Sequence, residues 1–419
     1  MSALPRFVRV RQNFPRLAPL DLPSALAAEF EKLRPRITPN ARIAVGVGSR
    51  GITRLAEIVG LVLDLLRGAG AQPFIIPAMG SHGGATPDGQ REVLASYGIT
   101  EATMRVPIRP SLEVRVVGET AEGASVYCSV EALAADGILV VNRVKPHTDF
   151  TGELGSGLLK MCVVGLGKHR GAAAMHLSAS EHGHERAIRG MAGVLLRAAP
   201  ILGGVAILEN QFHETARVVA LRREEMATGE DALLVEARRL MPLLPFEHID
   251  LLIVDRLGKN ISGTGMDTNV INRSVNGYSS SLQRGDRPSP FIRRIFVRDL
   301  TPESHGNAIG IGLADVTTTR LVRATDVRVT GVNALTSLTP QSAKLPIHFD
   351  SDREAIERTL GSVSAGSPAD TRVVRIADTL SLAEFDISER LWAESGARPE
   401  LTALSAVRDL AFDANGNIA

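Results

Sequence analysis

Residues 41–89, "ARIAVGVGSRGITRLAEIVGLVLDLLRGAGAQPFIIPAMGSHGGATPDG", decide the fold class. "ARIAVGVG" is a β-branched run that reads as a strand. "TRLAEIVGLVLDLLRGAG" reads as the helix after it, ended by glycine. "AQPFIIPA" is the next strand. Working outward, "TPDGQREVLASYG" reads as a helix opened by threonine and proline, and "ADGILVVNRVKPH" as a third strand. Strands alternating with Ala/Leu-rich helices predict an α/β layer with a largely parallel sheet. Its loops at the C-terminal strand ends carry "GSRGITR", "MGSHGG" and "KPHTDFTGE". In an open α/β sheet that edge is where ligands bind.

A chain of 419 residues with 44% hydrophobic residues exceeds one ordinary core and fills two. A second α/β unit begins near "HIDLLIVDRLGKNISGTG", after the helical "EDALLVEARRLMPLLP". The expected organisation is therefore two α/β domains, residues 1–247 and 248–419, with a cleft between them. "NGYSSSLQRGDRPSP" reads as a surface loop or mobile lid. Whether the last stretch, "ELTALSAVRDLAFDANGNIA", returns to the first domain is left open by the sequence.

The formal net charge of +1 provides no field toward nucleic acid or an acidic membrane, and an aromatic fraction of 4% leaves few stacking platforms. Two cysteines, Cys128 and Cys162, without a CxxC pair offer neither a disulfide framework nor a four-cysteine zinc site. The N-terminus lacks the apolar core of a signal peptide, and no run of about 18 apolar residues occurs. A soluble cytoplasmic protein without nucleic-acid or membrane partners is expected.

Gly46, Gly48 and Gly51 in "GVGSRG" match GxGxxG between a strand and a helix. A nicotinamide site also needs an acidic residue after the next strand, about 20 residues on, and "FIIPAMGSH" has none. A turn whose N–H groups approach a phosphate or carboxylate, with Arg50 and Arg54 supplying charge, is the competing reading. "RVKPHTDFTGELGSGLLKMCVVGLGKHRGAAAMHLSASEHGHE" holds five of the ten histidines. His169, His182 and His184 have polar neighbours and read as solvated helix surface. His147 follows a strand and a proline at the edge where His82 also lies, and His176 sits among small residues in "AAAMH". A neutral imidazole in such a place is a good ligand for nickel, zinc or copper. Lys160, between "GSGLL" and "MCVVG", either snorkels out or is held beside a bound group. Lys259, Asp267, Asn269 and Arg273 in "GKNISGTGMDTNVINR" serve either turn chemistry or a substrate-facing loop.

"GSHGGATPDGQ", "KPHTDFTGELGSGLLKMCVVGLG" and the histidine of "AAAMH" together resemble the lactate racemase family, whose members use a nickel pincer nucleotide. The order of four elements matches, and so does the 16-residue step from Lys160 to His176. The resemblance implies a 2-hydroxy acid racemase or epimerase working by hydride transfer. His82 and His147 become the acid/base pair, His176 the nickel ligand, and Lys160 the lysine that holds the pincer ring. Gly48 and Ser49 are expected at the cofactor, and Arg54, Lys259 and Asn269 at the substrate. Residues 1–247 become the cofactor-binding domain, and 248–419 the domain closing over substrate. Proteins that make and insert the cofactor are implied partners. Gly51 stands where the family has an aspartate, and the step from His147 to Lys160 is a few residues longer than in the lactate enzymes. The other enzyme reading is an NAD-dependent oxidoreductase using "GVGSRG"; a non-catalytic nucleotide- or metal-binding protein is the third.

Overall fold

The computed structural model describes residues 4–48, 51–80, 82–148, 150, 152–275, 290–363, 366–396 and 398–419. They form an α/β fold of two compact units, Leu17–Met241, and Met1–Arg16 together with Pro242–Ala419. Strand β1 (Phe7–Gln12) opens the chain and belongs to the latter. The Leu17–Met241 unit contains β2 (Arg42–Val47), β3 (Gln72–Pro77), the hairpin β4 (Val114–Glu119) and β5 (Ser125–Ser129), β6 (Gly137–Arg143), β7 (Ile201–Glu209) and β8 (Thr215–Arg222). Among the described residues its main sheet runs β3-β2-β6-β7-β8, parallel throughout except for β8 against β7.

Alternation explains why "RIAVGV" is apolar without a break. Ile43, Val45 and Val47 enter one core with the helix Leu55–Gly68, whereas Ala44 enters another, shared with Ile76 and Val140. A strand covered on both faces has no polar side. The helix Leu55–Gly68 buries Leu55, Ile58, Val59, Val62, Leu63 and Leu66. That spacing is one stripe of a 3.6-residue repeat.

The other unit is built on β9 (His248–Leu257), β10 (Phe291–Leu300), β11 (Val316–Thr318), β12 (Ile347–Phe349), β13 (Val373–Ile376), β14 (Glu384–Ser388) and β15 (Leu401–Ala403). With β1 they form a sheet ordered β12-β11-β10-β9-β13-β14-β1-β15. It is parallel from β12 to β13 and antiparallel beyond.

One expectation about organisation is revised and one open question is answered. Residues 1–16, assigned by sequence to the first domain, supply β1 to the second, where it is paired on both edges, with β14 and β15. Main-chain pairing is blind to sequence distance, so "FVRVRQ" does not reveal which sheet it joins. The last stretch stays in its own unit: Phe7 bridges Arg408, and the Ile418 N–H donates to the fully buried Asp352 carboxylate at 2.9 Å. The segment "NGYSSSLQRGDRPSP" lies outside the described residues but for Pro290. No helix among the described residues is long and apolar enough to cross a membrane.

Val10 is wholly buried, so Val10→Asp places an unpaired charge between two paired strands, at a cost of at least about 3 kcal/mol. Hydrogen-exchange mass spectrometry of the variant is expected to show protection lost in residues 242–419 and retained in 17–241.

Candidate functional site

Strand β6 carries the chain to the C-terminal edge of its sheet, and Val144–Lys145–Pro146–His147 follows. The main chains of Lys145 and Ser156 then bridge, with N–H···O distances of 2.9 and 2.8 Å, closing a loop over residues 146–155. Gly155 is required there, because a Cβ would lie 2.4 Å from the Lys145 carbonyl oxygen. The bridge brings the two ends of this excursion together. The Lys160 Nζ lies within hydrogen-bonding distance of the His147 Nε2. As an ammonium Lys160 can only donate, so the ring nitrogen accepts. His147 is 9% exposed.

Aromatic rings extend the cluster. His147 stacks on Phe150 with centroids 4.3 Å apart, and Phe150 stacks on His184 at 4.8 Å. His184 meets His176 edge-on at 6.2 Å. Three residues expected at the site, His147, Lys160 and His176, thus fall in one cluster, joined by two that sequence reasoning missed. His184, expected on solvated surface, is half-buried, while His169 and His182 are exposed. A break causes the difference: Gly183, at φ +84°, separates the helices Lys168–His182 and His184–Ala198. Helical periodicity cannot be carried across such a turn. The signal available in sequence was the glycine between His182 and His184.

The segment that bears Lys160 is irregular. A turn of helix, Leu158–Lys160, passes into a π-helical stretch, Met161–Leu166, a winding frequent at functional sites. The helix Lys168–His182 then starts at Lys168, a non-glycine residue at φ +56°. Lys168 is 1% exposed and its Nζ donates to the Pro77 carbonyl at the end of β3. Burial pushes its ammonium down to about 8, against weaker opposing fields from Cys128 and Glu131. At the other end the Glu230 carboxylate, 1% exposed, accepts from the Leu158 N–H at 2.5 Å and the Leu159 N–H at 3.0 Å. Burial pushes its pKa up to about 7. The thiols Cys128 and Cys162 are buried, free and raised by desolvation, hence unreactive.

His82 sits on the loop after β3, half-buried, with extended backbone. The glycines around it are structural: Gly83 has φ +63°, and a Cβ on it would lie 2.3 Å from the Gly89 backbone. Buried Gln90 donates its amide to the carbonyls of Met79 and Gly80, both at 3.3 Å. A Cβ on Gly80 would lie 3.1 Å from Ala172 and 3.2 Å from Val164. The loop therefore packs against the segment that carries Lys160 and His176.

The other expected residues are placed as follows. Gly48 faces the same segment, since a Cβ there would lie 2.6 Å from Met161 Cε. Ser49 and Arg50 lie outside the described residues. Arg54 is exposed and makes a two-point contact with Glu57, both bonds 2.6 Å, so its guanidinium is held by the helix that it precedes. Lys259 and Asn269 belong to the other unit. Lys259 Nζ donates to the Gly263 carbonyl at 2.8 Å and to Asn333 at 2.7 Å, and Asn269 donates to Asp267 at 2.9 Å. Among the described residues no group of three or more His, Cys, Asp or Glu side chains is arranged to hold a metal ion.

No family model matches this sequence, and no curated protein matches it. Solved structures do match. The lactate racemase apoprotein from Thermoanaerobacterium thermosaccharolyticum is similar at a TM-score of 0.52 and 13% identity, over 90% of this chain and 99% of that one. A protein from Thermotoga maritima, solved as a structural genomics target, gives 0.51 and 11%, over 88% and 99%. The chain has a lactate racemase-like α/β fold.

Lys168 makes a signed prediction. Its ammonium titrates near 8 when folded, against 10.5 when free. The unfolded chain therefore binds the extra proton between those values, and stability rises with pH across that window, by up to about 3 kcal/mol. Urea unfolding at pH 8 and pH 10 is expected to show this rise in the wild type and its loss in Lys168→Met.

Proposed function

We propose that this protein is a nickel pincer nucleotide-dependent racemase or epimerase of a 2-hydroxy acid. The observation that carries the reading is the clustering of His147, Lys160 and His176 within a fold like that of a lactate racemase. The donor set fits the group. A pincer brings sulfur and carbon donors of its own, so a single imidazole, His176, suffices from the protein. Lys160 is the amine placed to hold the ring, and Gly48 offers backbone without a side chain beside Met161.

When bound, such a group supplies an acceptor for hydrogen leaving as hydride, which avoids a carbanion next to a carboxylate. The chain's own residues manage the proton. With such a group taking the C2 hydrogen, an imidazole of the chain would take the hydroxyl proton, leaving a flat 2-keto acid, and would give a proton back when hydrogen is returned to the other face, inverting the centre. The hydroxyls of the two enantiomers point to different sides, so two bases are needed, and His82 and His147 fill those roles. His147 Nε2 is already an acceptor toward Lys160. Engaging the lysine elsewhere leaves that nitrogen in the basic form. Arg54 exchanges Glu57 for the substrate carboxylate, a trade of one two-point contact for another. Two buried free thiols suit a reducing, cytoplasmic setting, and the cofactor's biosynthesis and insertion proteins are the implied partners.

The test is production together with those biosynthesis proteins, followed by metal analysis and visible absorption of the wild type and His176→Ala. The expected result is about one nickel per chain, lost in the variant, as a single imidazole ligand requires. His82→Ala and His147→Ala are expected to keep nickel and to slow interconversion of the enantiomers by about 10²- to 10⁴-fold each. Absence of nickel from both proteins overturns the reading and moves nicotinamide binding at Gly46–Gly51 forward. Normal cofactor binding with no turnover of any 2-hydroxy acid favours a binding protein.

A further inference from the structure

The Gly157–Leu158 peptide is gripped from both sides. Its carbonyl accepts from Asn142 Nδ2 at 3.0 Å, and Asn142 stands on β6. Its N–H donates to Glu230 Oε2, which also takes the Leu159 N–H. Gly157 is itself part of the grip, since a Cβ would lie 2.4 Å from the Glu230 carboxyl carbon. Two residues beyond stands Lys160, whose amine meets His147.

A carboxyl group is an expensive way to satisfy two backbone donors. Glu230 is 1% exposed, and among the described residues its Oε1 has no hydrogen-bond partner. A buried ionisable group held without a matching cation costs free energy that an apolar side chain would not. Arg189, the cation nearest in charge terms, is committed to Asp231 at 2.8 Å and Glu185 at 2.9 Å. What the side chain provides is one oxygen acceptor that two successive N–H groups share at one point of the main chain.

We infer that Glu230 is the positioning residue for the Lys160 amine: by fixing the Leu158 and Leu159 N–H groups against Asn142 it sets where the Lys160 side chain starts, and so holds Nζ at His147. The inference goes beyond the racemase reading, because it needs only the Lys160–His147 contact and no cofactor. The upward shift of the Glu230 pKa to about 7 agrees with a carboxyl kept in an environment that resists its charge.

The test uses the full-length protein without cofactor. Lys160 acylation by limiting acetic anhydride is read by peptide mass spectrometry relative to exposed Lys32, and the His147 ring by NMR of histidine-labelled protein. Glu230→Gln still offers an oxygen to both N–H groups and is expected to match the wild type in both readouts. Glu230→Leu is expected to change Lys160 acylation by about fivefold or more, the factor for losing a hydrogen-bonded anchor, and to move the His147 signal while leaving His248 unmoved. Where Glu230→Leu does not fold, Glu230→Asp, which keeps the charge and withdraws it by one methylene, is expected to shift both readouts in the same way. Unchanged Lys160 and His147 signals in a folded Leu or Asp variant overturn the inference and leave the racemase reading untouched. A Gln variant that behaves like Leu also overturns it, since the acceptor would then not be what matters.

Discussion

Two main-chain hydrogen bonds between Lys145 and Ser156 govern the rest of the candidate site. They turn residues 146–155 from an open excursion into a closed loop, so the chain leaves β6 at one point and re-enters beside it. Loop closure costs entropy that grows only slowly with length. A longer insertion can therefore be accommodated while both ends stay in register. His147 near one end and Lys160 beyond the other meet for that reason, and the loop's own Phe150 is then free to lie between His147 and His184. Glu185 takes the Glu153 N–H, and Arg238 donates to the Gly152 carbonyl, fixing the loop's far side.

Buried charge is the second organising feature. Glu230 and Lys168 flank the irregular π-helical stretch Met161–Leu166, Glu230 at the turn of helix before it and Lys168 at the start of the helix after it. Among the described residues neither is paired with an opposite charge by hydrogen bond; each addresses backbone, Glu230 the N–H groups of Leu158 and Leu159, Lys168 the carbonyl of Pro77. Such groups contribute little net stability, and their effect is on geometry. Lys168 fastens the strand that precedes the His82 loop to the helix that bears His176. In the other unit, charge is matched instead. Asp352 receives Arg298 at 2.8 Å, Arg320 at 2.6 Å and the Ile418 N–H, and this network holds the C-terminal residues against their own sheet.

The pattern of what could be read in advance follows from the range of each interaction. Strands β2, β3 and β6 and the helix Leu55–Gly68 were legible because an unbroken apolar run and a 3.6-residue stripe are local consequences of burial. His147 and His176 were singled out from local context, a strand end and a small-residue helix, and Lys160 from its place between a glycine turn and an apolar run, and the structure brings the three into one cluster. His184 and Phe150 were not, because their roles depend on a turn at Gly183 and on loop closure. Arg54 was singled out for its charge, yet its neighbour three residues on, Glu57, occupies that charge in the structure.

The amino-acid sequence by itself determined the α/β class, the order in which strands give way to loops, and the types of side chain that those loops carry. These follow from periodicity and from strand-to-loop order, which are properties of neighbours along the chain. The tertiary structure alone decided that β1 joins the other unit, that the C-terminal residues stay there, and that Glu230, Gln90 and Lys168 brace the loops around His82, His147 and Lys160. All of those except the Gln90 contacts, which reach back only to Met79 and Gly80, depend on backbone groups meeting partners far away in sequence. Hydrogen bonds to main-chain N–H and C=O groups carry no side-chain signature at the accepting or donating position, so only the folded chain reveals them.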